Sequence, residues 1–178
     1  MSVVAVKRLK DKIVMSADNQ VTIGWGNKVT GDEISKEPAK IFRNENMLVG
    51  TAGYTYAFSL FRIYCKNRKP ASANVEGILE FLSEFLDWAK KKDSDFKLNN
   101  DFLIVFEDHI FHTDCLDVNE INEFSAIGCG MFLALGALSQ GASTEEAIKV
   151  AIKYDTYCGG DVITYEMLLK DGLKKDKK

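Results

Sequence analysis

The stretch SVVAVKRLKDKIVMSAD, Ser2 to Asp18, organises the chain around it. Two apolar segments, Val3 to Leu9 and Ile13 to Ala17, flank the charged turn Lys10-Asp11-Lys12, the pattern of an antiparallel β-hairpin. It begins on a small hydroxyl residue directly after Met1 and ends on a carboxylate. Once Met1 is removed, Ser2 carries a hydroxyl nucleophile and an amine general base on one residue. An α-amine titrates at about 7.7–8.0, so a small downward push leaves it neutral and basic near pH 7. With Met1 in place, the same nitrogen is an amide and accepts no proton. Serine at position 2 is common in any protein, so the rest of the chain must give it meaning.

The 178 residues fit one domain, 1–178, with a charged tail from about Lys170. Apolar residues make up 46% and charged residues 28%, which is the balance of a folded domain rather than a disordered one. Against 26 Asp and Glu stand 23 Lys and Arg, a net charge of −3, so there is no positive excess to neutralise a phosphate backbone and nucleic acid is excluded as a partner. No apolar run reaches the roughly 18–20 residues of a membrane helix, and no secretory leader pattern opens the chain. The expectation is a cytoplasmic protein with no membrane partner.

Cys65, Cys115, Cys129 and Cys158 have neither CxxC pairing nor zinc-type spacing to His109 and His112, so reduced thiols and no metal site are expected. Strand alternation places His109 and His112 on opposite faces.

Residues 19–38, with Gly24, Gly26 and Gly31, read as an irregular loop with room for a short strand. Lys40 to Arg43 and Met47 to Ala52 form a second hairpin that stops at Gly53. A helix follows, with Ala57, Phe58, Phe61 and Tyr64 at helical spacing and Pro70 beyond its end. A second helix spans about Ala73 to Lys91, with Ile78, Leu79, Leu82, Phe85, Leu86 and Ala89 as its core face. Lys90 to Asn100 reads as a solvated connector. Phe102 to Phe106 and Ile110 to Thr113 make a third hairpin about Glu107-Asp108, and Phe124 to Ile127 a further strand. Gly128-Cys129-Gly130 opens a helix from about Met131 to Ser139. Ser143 and Glu146 have capping-box spacing for another that runs to about Tyr157, and Val162 to Leu168 is a last strand. Strands, two helices, strands, two helices and a strand fit a four-layer α/β/β/α sandwich, in the α/β (α+β) class.

Four fragments carry a resemblance: residues 13–24, IVMSADNQVTIG; Lys40-Ile41 leading to Gly50-Thr51-Ala52-Gly53; Ala126-Ile127-Gly128-Cys129-Gly130; and Glu146-Ala147-Ile148 through Asp155-Thr156-Tyr157-Cys158-Gly159. In this order they resemble the proteasome β-subunit and bacterial HslV peptidases, which are N-terminal nucleophile hydrolases, over nearly the whole length. That family places its nucleophile sixteen residues before the first motif aspartate, and counting back from Asp18 lands on Ser2, where the family usually has threonine. Lys40 matches the active-site lysine after a one-residue gap, with Lys36 as the alternative. The implied role is a fixed positive charge that keeps the amine neutral, with Asp18 holding the lysine. Gly53 matches the oxyanion N–H donor, and Asp155 the acceptor for the amine. Cys129 and Cys158 stand where serines commonly bond near the amine. A thiol is the weaker hydrogen-bonding group, and both cysteines equally suit small buried spaces.

The resemblance implies a serine- or threonine-type endopeptidase that cleaves unfolded polypeptide inside a homo-oligomeric ring, served by an ATP-dependent unfoldase and needing no cofactor or metal. Two other readings stay open: a non-catalytic ring subunit of the same fold, and an N-terminal nucleophile amide hydrolase for small substrates.

Overall fold

The computed structural model describes residues 2–23, 27–30, 40–45 and 47–170. In chain order the elements are β1 (Val3–Arg8), β2 (Lys12–Asp18), β3 (Gln20–Ile23), β4 (Asn27–Thr30), β5 (Ile41–Arg43), β6 (Met47–Ala52), α1 (Thr55–Cys65), α2 (Val75–Lys90), β7 (Asp101–Phe106), β8 (His109–Asp114), β9 (Asp117–Ile121), β10 (Phe124–Gly128), α3 (Met131–Ser139), α4 (Thr144–Tyr154) and β11 (Val162–Leu168). One sheet has the order β10-β1-β2-β11 and the other β5-β6-β7-β8-β9, with β3-β4 a separate hairpin.

Side-chain alternation explains why the central strands read as unbroken apolar runs: both faces of each sheet are covered. On β1, Val4 and Val6 point between the sheets, where they meet Met15, Leu48, Leu103 and Ile127. Val3 and Ala5 point the other way, toward Ala134, Leu138, Ile148 and Ala151 of α3 and α4. The second sheet repeats the pattern. Leu103 and Val105 face inward, while Phe102, Ile104 and Phe106 meet the aromatic face of α1 and α2. Phe61 lies 4.7 Å from Phe102 and 4.8 Å from Phe85 between ring centroids, locking α1 to both neighbours. Between the sheets Gly50 leaves room for β1, since its missing Cβ would lie 2.6 Å from Val4 Cγ1. The result is the four-layer α/β/β/α sandwich that the element order implies.

Local chemistry sets the element ends. Glu107 and Asp108 both have positive φ, at 45° and 70°, which suits the tight turn that joins β7 to β8. The Ser143–Glu146 capping box closes the start of α4 in both directions.

Five expectations need correction. The described part of the region after Asn19 is a hairpin, β3 with β4, rather than one irregular loop; Gly24, Gly26, Gly31, Lys36 and Pro38 lie outside the described residues. Strand β9 escaped the periodicity because only Val118 of its five residues is buried. The 90–100 connector is anchored rather than merely solvated, since Phe96, Leu98 and Asn100 are buried. Helix α4 ends at Tyr154, three residues early, where Asp155 turns extended. Phe81 is buried on α2 while Leu79 is 39% exposed, so the core stripe of that helix is rotated from the expected one.

Candidate active site

Asp18, the last residue of β2, is the hub. Its Oδ1 accepts from Lys40 Nζ at 2.6 Å and from the Val3 backbone N–H at 2.9 Å, and its Oδ2 accepts from the Gly159 N–H at 3.0 Å. Both side chains of the ion pair are sealed, 6% exposed for Lys40 and 0% for Asp18. Lys40 sits at the bend before β5, and its carbonyl accepts the Thr51 N–H of β6 at 2.9 Å, which fixes the stem from which the ammonium projects. Burial pulls the Lys40 ammonium below its ordinary value, against the opposing pull of Asp18.

Ser2 is 5% exposed and directly precedes β1. Its carbonyl accepts from the Gly130 N–H at 3.4 Å and from the Cys129 thiol at 3.2 Å. The turn fits this tightly because of its glycines. Gly128 has φ +91°, and a Cβ there would collide with the Ser2 carbonyl. A Cβ on Gly130 would press Cys158 Sγ at 2.8 Å.

Beyond the turn the two sulfurs meet. Cys129 Sγ and Cys158 Sγ are 3.7 Å apart, and Cys158 Sγ is 3.7 Å from Asp155 Oδ2. The Cys158 thiol, as hydrogen-bond donor, draws Cys129 down to about 7, while its own proton is held and its value raised. Asp155 is held below the usual carboxylate range, chiefly by the Tyr157 N–H on Oδ1 at 2.8 Å. The donor atoms of Cys129, Asp155 and Cys158 lie within 4.8 Å of one another, and among the described residues they are the one cluster with soft-cation chemistry. The two histidines are elsewhere: His109 pairs with Glu120, and His112 faces Ser125.

Opposite Ser2, Gly53 takes φ +131°. That conformation is framed by Asn100, which is fully buried. Asn100 Oδ1 accepts the Tyr54 N–H at 3.2 Å, and its Nδ2 donates to Thr51 Oγ1 and to the Tyr54 carbonyl, each at 3.0 Å. Ser2, Lys40 and Gly53 line one cleft of about 330 Å³ with Gln20, Thr22 and Tyr54. Gln20 Nε2 and Thr22 Oγ1 are buried polar atoms without a hydrogen-bond partner among the described residues.

The same arrangement of layers recurs in solved structures. Thiobacillus denitrificans BPH in complex with epoxomicin superposes with a TM-score of 0.82 at 22% identity, covering 94% of this chain and 99% of that one. This chain has the proteasome β-subunit/HslV fold. HslV from Trypanosoma brucei matches it with a TM-score of 0.65 at 20% identity, over 93% of this chain and 99% of that one. Anbu, an ancestral β-subunit from Yersinia bercovieri, matches with 0.67 at 14%, over 92% and 80%. No protein-family model and no curated protein matches the chain.

Within this HslV-type fold, the seven candidates form one continuous set. Ser2, Lys40 and Gly53 face the cleft, Asp18 backs Lys40, and Cys129, Cys158 and Asp155 lie beneath the Ser2 carbonyl. Sequence reasoning missed Asn100 and the Gly159 N–H. Asn100 sits in a polar, charged run that conceals its burial, and a backbone donor has no residue signature. The double asparagine Asn99-Asn100 just before an apolar strand was the one available clue.

Proposed function

We propose that the chain is an N-terminal serine peptidase subunit that hydrolyses unfolded polypeptides in the cytoplasm, inside a ring of its own copies. The observation that carries this reading is the sealed Lys40–Asp18 pair on the wall of the cleft that Ser2 lines. A buried ammonium held there favours the neutral form of a neighbouring amine. With Met1 removed, the Ser2 amine takes the hydroxyl proton as Oγ attacks the substrate carbonyl. The Gly53 N–H stabilises the oxyanion, and the proton passes to the leaving amine. Water then cleaves the acyl-enzyme ester by the same base. Asp155, Cys129 and Cys158 orient the amine. The unpartnered Gln20 and Thr22 atoms suit a substrate backbone, because buried polar groups seek partners.

Assembly has its own support. Helix α3 reads MFLALGALS, yet only Ala134 and Leu138 are buried and Phe132 is 74% exposed. A helix apolar all round belongs in a covered place, and the facing helices of a ring provide one. An ATP-dependent unfoldase would deliver the substrate.

The test is intact mass after exposure to an epoxyketone probe, whose two electrophilic carbons match a hydroxyl and an amine on one residue. Expected are loss of Met1 and one added probe mass, abolished by Ser2→Ala. Rings by sedimentation without an adduct on Met1-free protein would instead establish the non-catalytic ring subunit, the reading that the two cysteines in place of serines favour. Turnover of short amides alone, in a species too small to enclose a chamber, would establish the amide hydrolase.

A further inference from the structure

We propose that Cys129 and Cys158 form an oxidative modification site, in which hydrogen peroxide closes a Cys129–Cys158 disulfide directly beneath Ser2 and a dithiol reductant reopens it. The sulfurs are 3.7 Å apart, in contact, against a bond length of about 2.05 Å. Rotation of the two side chains with a small backbone adjustment brings them within bonding reach. The remaining cysteines are elsewhere: Cys65 is buried in the aromatic layer between the second sheet and its helices, and Cys115 lies on the turn from β8 to β9.

The two thiols differ as a reacting and a resolving thiol must. Cys129 is exposed and Cys158 is buried, so a dissolved oxidant meets Cys129 first. The proton of the pair rests on Cys158, while Cys129 ionises at about 7. An accessible, readily ionised thiol beside a second one is the arrangement that oxidation selects. The Cys129 thiolate attacks one peroxide oxygen, the O–O bond breaks, and hydroxide leaves to become water, giving a Cys129 sulfenic acid. Cys158 sulfur then attacks Cys129 sulfur, the S–O bond breaks, and the Cys158 proton departs with the hydroxyl as a second water. Two thiols are oxidised and one peroxide is reduced.

The consequence for catalysis rests on the proposed peptidase function. Oxidation removes the Cys158 hydrogen, which Cys129 Sγ and Asp155 Oδ2 share as acceptors at 3.7 Å each, and leaves Cys129 Sγ, 3.2 Å from the Ser2 carbonyl, with no hydrogen to give it. Cys129 cannot move alone, because Gly130 also holds that carbonyl and Gly128 lies against it. Displacing a reacting group by about 1 Å costs on the order of 10²-fold in rate.

The full-length protein is treated with hydrogen peroxide, denatured, alkylated with N-ethylmaleimide and weighed. The expected product is lighter by two hydrogens, takes up two alkyl groups rather than the four of the reduced chain, and yields a peptide joining Cys129 to Cys158. Dithiothreitol restores four. Cys158→Ser blocks the crosslink and leaves a dimedone-reactive Cys129 sulfenic acid. Thiol counting needs no substrate, so it is independent of peptidase activity. Epoxyketone labelling then reads the consequence: it slows about 10²-fold in oxidised protein and recovers with dithiothreitol. Four alkylatable thiols after peroxide would overturn the proposal. So would a crosslink through Cys65 or Cys115, or Cys129 over-oxidised beside a reactive Cys158. Protection reversed by a chelator and not by dithiothreitol would assign the cluster to a soft cation instead. Failure of labelling in both redox states, with the disulfide formed, would refute the peptidase and leave the disulfide standing.

Discussion

Replacing Lys40 with methionine tests the hub directly. Methionine fills the channel of the lysine stem but leaves the Asp18 carboxylate, fully buried, with only the Val3 and Gly159 N–H donors at 2.9 and 3.0 Å. Breaking a buried pair by removing one partner costs about 3–5 kcal/mol, and the two surviving donors set the expectation near the low end, about 3 kcal/mol. At about 2.1 cal/mol/K per residue, the unfolding entropy of 178 residues is roughly 0.37 kcal/mol/K, so Tm falls by about 8 °C. Calorimetry at fixed protomer concentration measures this, because self-association shifts Tm by mass action. Combining Lys40→Met with Asp18→Asn removes both charges, and the pair should lose less than the sum of the single changes. Peptide hydrolysis should stay lost even where the double change recovers stability. The pH dependence adds a signature. Burial lowers the Lys40 ammonium from its ordinary 10.5. Between the lowered folded value and 10.5 the unfolded chain holds a proton that the folded chain has shed, so wild-type stability rises with pH across that window. Lys40→Met should lack this rise. A Tm within 2 °C of wild type, additive with Asp18→Asn, would refute the picture of a sealed, interdependent pair.

Further perturbations probe the frame around the site. Asn100→Ala orphans the Tyr54 N–H and carbonyl, so it should cost about 2–3 kcal/mol in urea denaturation and reduce turnover beyond the loss of folded protein. Gly53→Ala must take φ +131° with its Cβ 2.7 Å from Asn100 Cγ; about 1–3 kcal/mol of strain should appear in thermal melts, together with weakened probe labelling. Alkylation of Cys129 should rise with pH to half its maximum rate at about 7, while Cys115, raised by burial, reacts only at higher pH; isotope-coded labelling separates them. Glu146, lowered from 4.5 first by the Ser143 N–H, adds stability that is fully present above 4.5 and lost as pH falls through its lower folded value; Glu146→Gln should flatten that acid limb in melts between pH 3 and 5.

The sequence makes some of this molecule legible because local and global demands coincide. The first hairpin is apolar on both faces since both faces are covered, and Ser143 with Glu146 announces a helix start that packing keeps. Asp18 and Lys40 are legible as partners only through the family resemblance, for no local rule joins residues 22 positions apart. Strand β9 was hidden because a strand at a sheet edge with one buried residue has no alternation to show. The β3–β4 hairpin was hidden by its polar, glycine-rich text. Asn100 was missed because its value lies in the backbone groups it satisfies, and those depend on where the 53–54 turn ends up in space. The contact of Cys129 with Cys158 belongs to the same class, since it exists only once the turn before α3 meets the loop after α4.

The strand order β10-β1-β2-β11 has a consequence in time. The strand that follows Ser2 finds one neighbour in β10, and its hairpin partner finds another in β11, both from the last third of the chain. Asp18 completes its set of bonds only with Gly159, 141 residues downstream. Synthesis runs toward the C-terminus, so Ser2 and Asp18 are made before β10, Gly159 and β11, and their surroundings cannot close until those segments have emerged. Ser2 is thus made well before its surroundings, and a half-made chain carries it without the buried frame that Asp18 and Gly159 build around it.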